Sequence, residues 1–385
     1  SLMERGYDVR MMALYPLESG TPSIEHELAR LGIAAHLCPD FRAPGAAGFR
    51  APPQETLATE IFRLPRWLAN KIAPVGAAIR HYRPAVVHAW GDIPTIVGAY
   101  AAYGLGVPNV VLHENSMQQC MRRYGAQVVE LLWEGYRSAL ENPAVKVLNN
   151  SAAGAADYER WLGLRPGTIR VLYNGIVREQ IRNPADHEVA RFRAHLGLSQ
   201  DAPVVGTVMR FVEDKDPDLW LDTAAEIAKA RPDVRFLVAG YGTLQDRMMQ
   251  RIEALGLRDR VVLPGAVTDV GLVFATLDVL LLTSMTEGVP NVLIEAQAAG
   301  RPVVAPDVGG VSEAVSENGT TGRVVRERSP RRLAEAVIGI LGDPEWKARV
   351  RSAGPEFVAG RFGFDRMVGQ LLAVYGLPDR HSTRV

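Results

Sequence analysis

Short apolar runs with strand character alternate with longer stretches of helical period along almost the whole chain. In the first half the runs fall at residues 9–14, 34–37, 85–87, 109–112, 145–148 and 169–172. In the second half they fall at 204–209, 235–239, 261–263, 279–283, 302–305 and 322–324. Helical stretches such as 23–31 and 56–81 lie between them. That alternation predicts parallel sheets with helices on both faces. A chain of 385 residues is long for one core. The expectation is therefore two doubly wound α/β domains, 1–182 and 203–362, joined by a polar linker at 183–202 and followed by a closing helix within 363–385. In such sheets ligands bind outside the carboxyl ends of the strands, so residues there carry the candidate chemistry.

Two stretches need a decision. Residues 93–112 carry no charge and approach the length of a membrane span, but Gly104, Gly106 and Pro108 break them. The pattern predicts a helix over 95–103, a turn, and a strand over 109–112. Residues 2–5 read as the last turn of a helix closed by Gly6. On that reading the sequence begins after a first strand and the loop behind it.

Composition narrows the class. Basic and acidic residues number 43 each, so the formal net charge is zero and bulk attraction to nucleic acid is not expected. Two cysteines, Cys38 and Cys120, supply neither a disulfide framework nor a cysteine zinc site, which suits a reducing, cytoplasmic setting. Arg63, Arg66, Lys71 and Arg80 interleave with Ile61, Phe62, Leu64, Trp67, Leu68 and Ile72. Such a segment fits peripheral contact with anionic lipid or the surface helix of a domain, and Pro65 and Pro74 interrupt it.

The densest chemistry lies at residues 284–296. Glu287 and Glu295 stand eight positions apart around a predicted helix start at Pro290-Asn291. Unpaired amides at a helix start seat phosphate, so a ligand with hydroxyls on both sides of a diphosphate fits this layout. Arg210 and Lys215 follow the strand at 204–209 and could neutralise a departing diphosphate. Asp214-Lys215-Asp216 imitates a metal-holding Asp-x-Asp pattern. A helix opening after Pro217 explains those acids as partners of its dipole. Gly240-Tyr241-Gly242 has two glycines of a dinucleotide fingerprint and Gln245 where the third would stand, which suggests a tight turn or a close backbone approach. Gly309-Gly310 permits a turn or a ligand contact. His88 and His113 fall at strand ends, and no Ser-His-Asp grouping or zinc-spaced histidine pair is legible.

Taken together, Arg210, Lys215, Gly240-Tyr241-Gly242, residues 262–265, 287–296, 299–305 and 309–313 resemble the family 4 retaining glycosyltransferases of the GT-B fold. Residues 86–89, His113 and 171–176 fit its looser pattern. The resemblance implies two Rossmann-like domains facing across a cleft, with the last helix crossing back to the first. It implies that Glu287 holds hydroxyls of the transferred sugar and Glu295 the ribose, while Arg210 and Lys215 stabilise the diphosphate. Amides near Asn291, Val292 and Leu293 assist, Gly288, Val289, Gly242 and Val267 line the nucleotide, and His113 touches the sugar. The implied reaction retains anomeric configuration and needs no cofactor and no metal. Its donor would be a UDP- or GDP-linked hexose. Its acceptor would be a saccharide or a polyprenyl- or lipid-linked sugar in cell-surface polysaccharide or glycolipid synthesis, at the inner face of the membrane. The rival readings are a nucleotide-sugar epimerase, a nicotinamide-dependent dehydrogenase and an inactive nucleotide-sugar-binding module.

Overall fold

A computed structural model describes residues 2–14, 33–37, 64–178 and 181–380 and divides the chain into two compact units. The first comprises Ser1–Asn150, Ala155–Leu172 and Val368–Val385; the second comprises Ser151–Gly154 and Tyr173–Met367. The helix expected at 23–31 and the start of the one expected from residue 56 lie outside the described residues.

In the first unit β1 (Arg10–Ala13) pairs in parallel with β2 (Ala34–Leu37). Ahead of β1, the Gly6 amide bonds the Met3 carbonyl (2.8 Å) and the Tyr7 amide the Leu2 carbonyl (3.1 Å). With Gly6 at φ 75° this is a Schellman closure of a helical turn. A second sheet runs β3 (Val86–Trp90), β4 (Asn109–Glu114), β5 (Val145–Asn149) and β6 (Arg170–Val171) in that order, all parallel. One face sends Val87, Ala89, Val110 and Leu112 into the core formed with Leu68, Ile72, Ile96 and Tyr136. The uncharged stretch becomes the helix Asp92–Ala102 followed by β4, as its glycines predict.

Chain-distant residues complete this unit. Lys146 Nζ donates to Asn109 Oδ1 (2.8 Å) and to the Val374 carbonyl (2.6 Å), the latter at the negative end of the helix Phe364–Tyr375. Arg5 Nε bonds Asp379 at 3.1 Å, and the Tyr7 hydroxyl donates to the Pro378 carbonyl. The basic helix is Arg66–Tyr82, with Pro65 at its N-cap and Pro74 inside it. Leu68 and Ile72 are core residues, which leaves Trp67 as its large exposed apolar side chain. No described helix is long and apolar enough to cross a membrane.

The second unit is a six-stranded parallel sheet of β7 (Val204–Val208), β8 (Arg235–Ala239), β9 (Val261–Gly265), β10 (Val279–Leu281), β11 (Val303–Pro306) and β12 (Gly322–Val325). Residues alternate between two cores: Val205, Phe236, Val238, Val279, Leu281 and Val304 on one face, and Val204, Leu237, Ala239, Leu280 and Val303 on the other. Helices cover both faces, as the near-continuous apolar strands require. The segment expected as a polar linker contains the helix Asp186–His195. Glu188 accepts the Ala185 amide at 2.9 Å, and Arg193 is buried, donating to the carbonyls of Ser199 (2.8 Å) and Ala202 (2.5 Å). Its polar composition hid it because its buried residue is an arginine, with Phe192 only partly buried against the core.

Candidate active site at the switch point of the second sheet

The strand order is β12-β11-β10-β7-β8-β9. Winding therefore runs outward from β7 through β8 and β9, then restarts on the other side at β10. The carboxyl ends of β7 and β10 flank that reversal, where open parallel sheets leave a crevice for ligands.

The two loops at this point are stitched together. The Met285 amide donates to the Asp214 carbonyl (2.8 Å), and the Thr283 hydroxyl bonds the carbonyls of Lys215 and Asp216, each at 3.1 Å. Asp216 has left-handed backbone angles, φ 47° and ψ 65°, an unfavourable state for a non-glycine residue. Its carboxylate offsets that cost by accepting the Leu219 amide (3.1 Å) as N-cap of the helix Pro217–Ala230 and by pairing with Arg328 (2.5 Å). Arg328 also donates to the Thr283 carbonyl (3.2 Å), so one guanidinium joins both loops. Asp216 thus serves as a helix cap while Asp214 contributes its main-chain carbonyl, and among the described residues no group of three or more His, Cys, Asp or Glu could hold a metal.

Held this way, the Lys215 ammonium donates to Glu287 Oε1; their side chains are 23% and 13% exposed. Lysine has three donors and a carboxylate about four acceptor positions, so both partners keep capacity for a ligand. Glu287 is fixed from behind, since the Gly310 amide donates to its carbonyl at 3.0 Å. A Cβ on Gly310 would stand 2.7 Å from the Gly288 carbonyl oxygen. The Gly309-Gly310 pair therefore allows a close approach of the chain to itself, beneath the loop that carries Glu287.

Gly288 and Val289 are buried, and Pro290 caps the helix Asn291–Ala298. Leu293 was expected to offer an amide, but its N–H bonds the Pro290 carbonyl at 3.2 Å. Asn291 and Val292 provide the remaining first-turn amides, and the Asn291 side chain accepts from Asn174 at 2.7 Å. Glu295 lies further along the same helix, partly exposed, and burial raises its carboxyl above the usual range. Arg210 is exposed at the end of β7, with no carboxylate of the described residues in salt-bridge reach.

Gly242 faces its own chain. A Cβ there would meet the Phe211 carbonyl oxygen at 2.4 Å, and one on Gly240 the Met209 carbonyl oxygen at 1.8 Å. The loops after β7 and β8 pack backbone on backbone, tied by Phe211 N–H to Tyr241 O (2.8 Å) and Leu244 N–H to Phe211 O (3.0 Å). Val267 is partly buried against the core that contains Val273 and Leu293. Glu313 accepts the Tyr173 hydroxyl at 2.9 Å. Two cavities lie elsewhere in this unit: one of about 890 Å³ beside β12 near Glu317, Arg323 and Trp346, and one of about 480 Å³ near Arg301 and Arg351. Neither is lined by Lys215, Glu287 or Glu295.

In the first unit His113 is the penultimate residue of β4 and is 4% exposed, with neither ring nitrogen hydrogen-bonded. Burial lowers its pKa to about 4. Glu114 beside it is 1% exposed, bonded by the hydroxyls of Tyr136 and Thr95 (the latter at 3.2 Å). Burial and the nearby Asp92 raise its pKa well above the carboxylate range. Sequence reasoning placed Asp216 at the start of the helix after Pro217 but missed Thr283 and Arg328 as further supports of the Lys215 loop.

Residues 188–357 match the family described as "Glycosyl transferases group 1", and residues 22–180 match "Glycosyltransferase Family 4". D-inositol 3-phosphate glycosyltransferase 1 of Catenulispora acidiphila is 31% identical over 328 residues, covering 81% of this chain and 76% of that protein. The chain belongs to the family 4 glycosyltransferases. The chain is also 30% identical over 290 residues to the Vi polysaccharide biosynthesis protein VipC/TviE of Salmonella typhi, covering 73% of itself but 49% of that protein. It thus spans about half the length of that curated relative. HepE of Anabaena, crystallised with UDP and glucose, matches its fold with TM-score 0.77 at 20% identity, covering 96% of this chain and 99% of the other. The chain has the GT-B class of fold, two parallel-sheet Rossmann-like domains.

Proposed function

We propose that this chain transfers a hexose from a nucleoside diphosphate sugar to a saccharide or lipid-linked acceptor, with retention of anomeric configuration and without a metal. The Lys215–Glu287 pair at the β7/β10 reversal carries the reading. Glu287 would accept hydrogen bonds from hydroxyls of the hexose while it holds Lys215. Lys215 and Arg210 would take the charge that grows on the diphosphate as the C1–O bond breaks. The free amides of Asn291 and Val292 add donors at the positive end of a helix. Glu295, one turn along, would accept from the ribose hydroxyls, and its raised pKa fits a carboxyl awaiting such donors.

In this reading the acceptor oxygen bonds to C1 on the face the phosphate leaves, and the departing phosphate oxygen takes the acceptor's proton. Neither glutamate then acts as nucleophile or general base. His113 would contact the sugar, a role that rests on the family resemblance. HepE binds UDP and glucose, which makes UDP-glucose the first donor to try, and the name of VipC/TviE favours a saccharide acceptor in polysaccharide synthesis. Association with a membrane surface would fit a lipid-linked acceptor.

Incubation of the whole protein with radiolabelled UDP- and GDP-hexoses tests the proposal. Acceptor-dependent release of nucleoside diphosphate supports it. Conversion of the donor's sugar without an acceptor would instead identify an epimerase, and tight binding without turnover an inactive module.

A further inference from the structure

β3 reads Val86-Val87-His88-Ala89-Trp90, and its alternation assigns two faces. Val87 and Ala89 pack into the apolar core, so His88 and Trp90 share the opposite face. Register places Trp90 directly beside His113 of β4. The rings form a cluster at the carboxyl ends of these strands. Trp90 meets His88 at 5.0 Å and His113 at 5.1 Å between centroids, and the two imidazoles stack at 5.3 Å and 12°. His88 Nδ1 bonds the Tyr375 hydroxyl at 2.5 Å, which fixes the lower end of the stack.

Two features of this cluster ask for a ligand. Its outermost member, the Trp90 indole, is 54% exposed although it sits on a regular strand. Beneath it three buried ring nitrogens, His88 Nε2 and both of His113, have no hydrogen-bond partner. Buried polar atoms are rarely left unbonded, because each omission costs the desolvation of that group. The exposed flat face of Trp90 complements the apolar C–H face of a pyranose ring, and the unbonded imidazole nitrogens lie beneath it.

We propose that Trp90 is the stacking platform of a saccharide subsite on the first unit, holding a pyranose ring of the acceptor above His113. That the ring belongs to an acceptor rests on the transferase reading. The Lys215–Glu287 set of the second unit already supplies hydroxyl contacts for a donor hexose. Trp90 is thereby a specificity-determining residue that selects a sugar ring over an acyclic alcohol.

Saturation-transfer NMR on the whole protein, with UDP present, tests the proposal using methyl glucopyranoside, galactopyranoside, mannopyranoside and N-acetylglucosaminide. At least one glycoside should receive magnetisation at its ring protons. Trp90→Ala should weaken that glycoside roughly tenfold, while Trp90→Phe, which keeps a ring face, should stay within about threefold. UDP affinity and the thermal midpoint should be the same in all three proteins. The proposal is overturned when no glycoside engages the native protein, when Trp90→Ala binds as well as the native protein, or when that variant loses UDP equally. Failure of the transferase reading shows separately, as the absence of nucleoside diphosphate release from every donor while glycoside binding persists.

Discussion

The Lys215 ammonium bonds the Glu287 carboxylate across 72 positions of sequence, joining the loop after β7 to the loop after β10. Each side chain is the other's counter-charge, 23% and 13% exposed. Removing either leaves a largely buried charge without its partner, so the pair is vulnerable from both sides.

Lys215→Ala is expected to lower kcat by roughly 100-fold or more, since a preorganised donor facing developing charge is typically worth that much. Glu287→Gln, which keeps the shape, should also lose activity. Steady-state kinetics with the donor that the radiolabel assay selects decides the point, and near-native kcat in Lys215→Ala would remove lysine from the diphosphate.

Glu295→Ala should act on donor affinity rather than on the chemical step. A hydrogen bond to a charged group is worth about 1.5–3 kcal/mol, so UDP binding should weaken roughly tenfold to a hundredfold. Isothermal titration with UDP is the measurement, and unchanged affinity would sink the ribose assignment.

His113 makes stability depend on acidity. Its folded pKa is near 4, below the ordinary 6.5, so the unfolded chain binds a proton that the fold refuses. The contribution is complete above pH 6.5 and is lost as pH falls toward 4. Between pH 7 and pH 5 it amounts to about 2 kcal/mol. Urea midpoints of the native protein and His113→Gln should converge over this interval. Parallel lines would show that His113 titrates normally. Comparing the two proteins cancels the opposite slope of Glu114, whose pKa is raised.

Gly240→Ala should destabilise by about 2–3 kcal/mol, because the new methyl meets the Met209 carbonyl at 1.8 Å and the backbone must shift. Gly256→Ala is the control: its φ is +66° and nothing stands within 4 Å of the added atom. That change should cost about 1 kcal/mol, from backbone strain alone. Equal thermal midpoints for the two variants would contradict the close packing of the loops after β7 and β8.

Strands such as β10 and β11 were legible because each is a short apolar run buried on both faces. Where a strand carries polar or aromatic residues the run stops early. The reading at 85–87 missed His88 and Trp90, which sit on the face that the apolar core does not use. The glutamates and Lys215 were legible as residues around strand ends, yet their pairing was not. It depends on β7 and β10 being neighbours, which strand order decides and local sequence does not. Gly242 fits the nucleotide-lining position of the family pattern, and its backbone also lies against Phe211. A glycine in a strand-end loop announces a close approach without saying to what.

The first unit is assembled from three stretches of chain, the last of which is Val368–Val385. A ribosome delivers those residues after everything from Tyr173 to Met367, so the second unit has all but its last contacts available while the first still waits for its closing piece. Until then the His88 imidazole has no Tyr375 hydroxyl and Lys146 no Val374 carbonyl. A nascent chain stalled before Val368 should therefore expose the β3–β4 face to proteases or chaperones while the later-made unit already resists them.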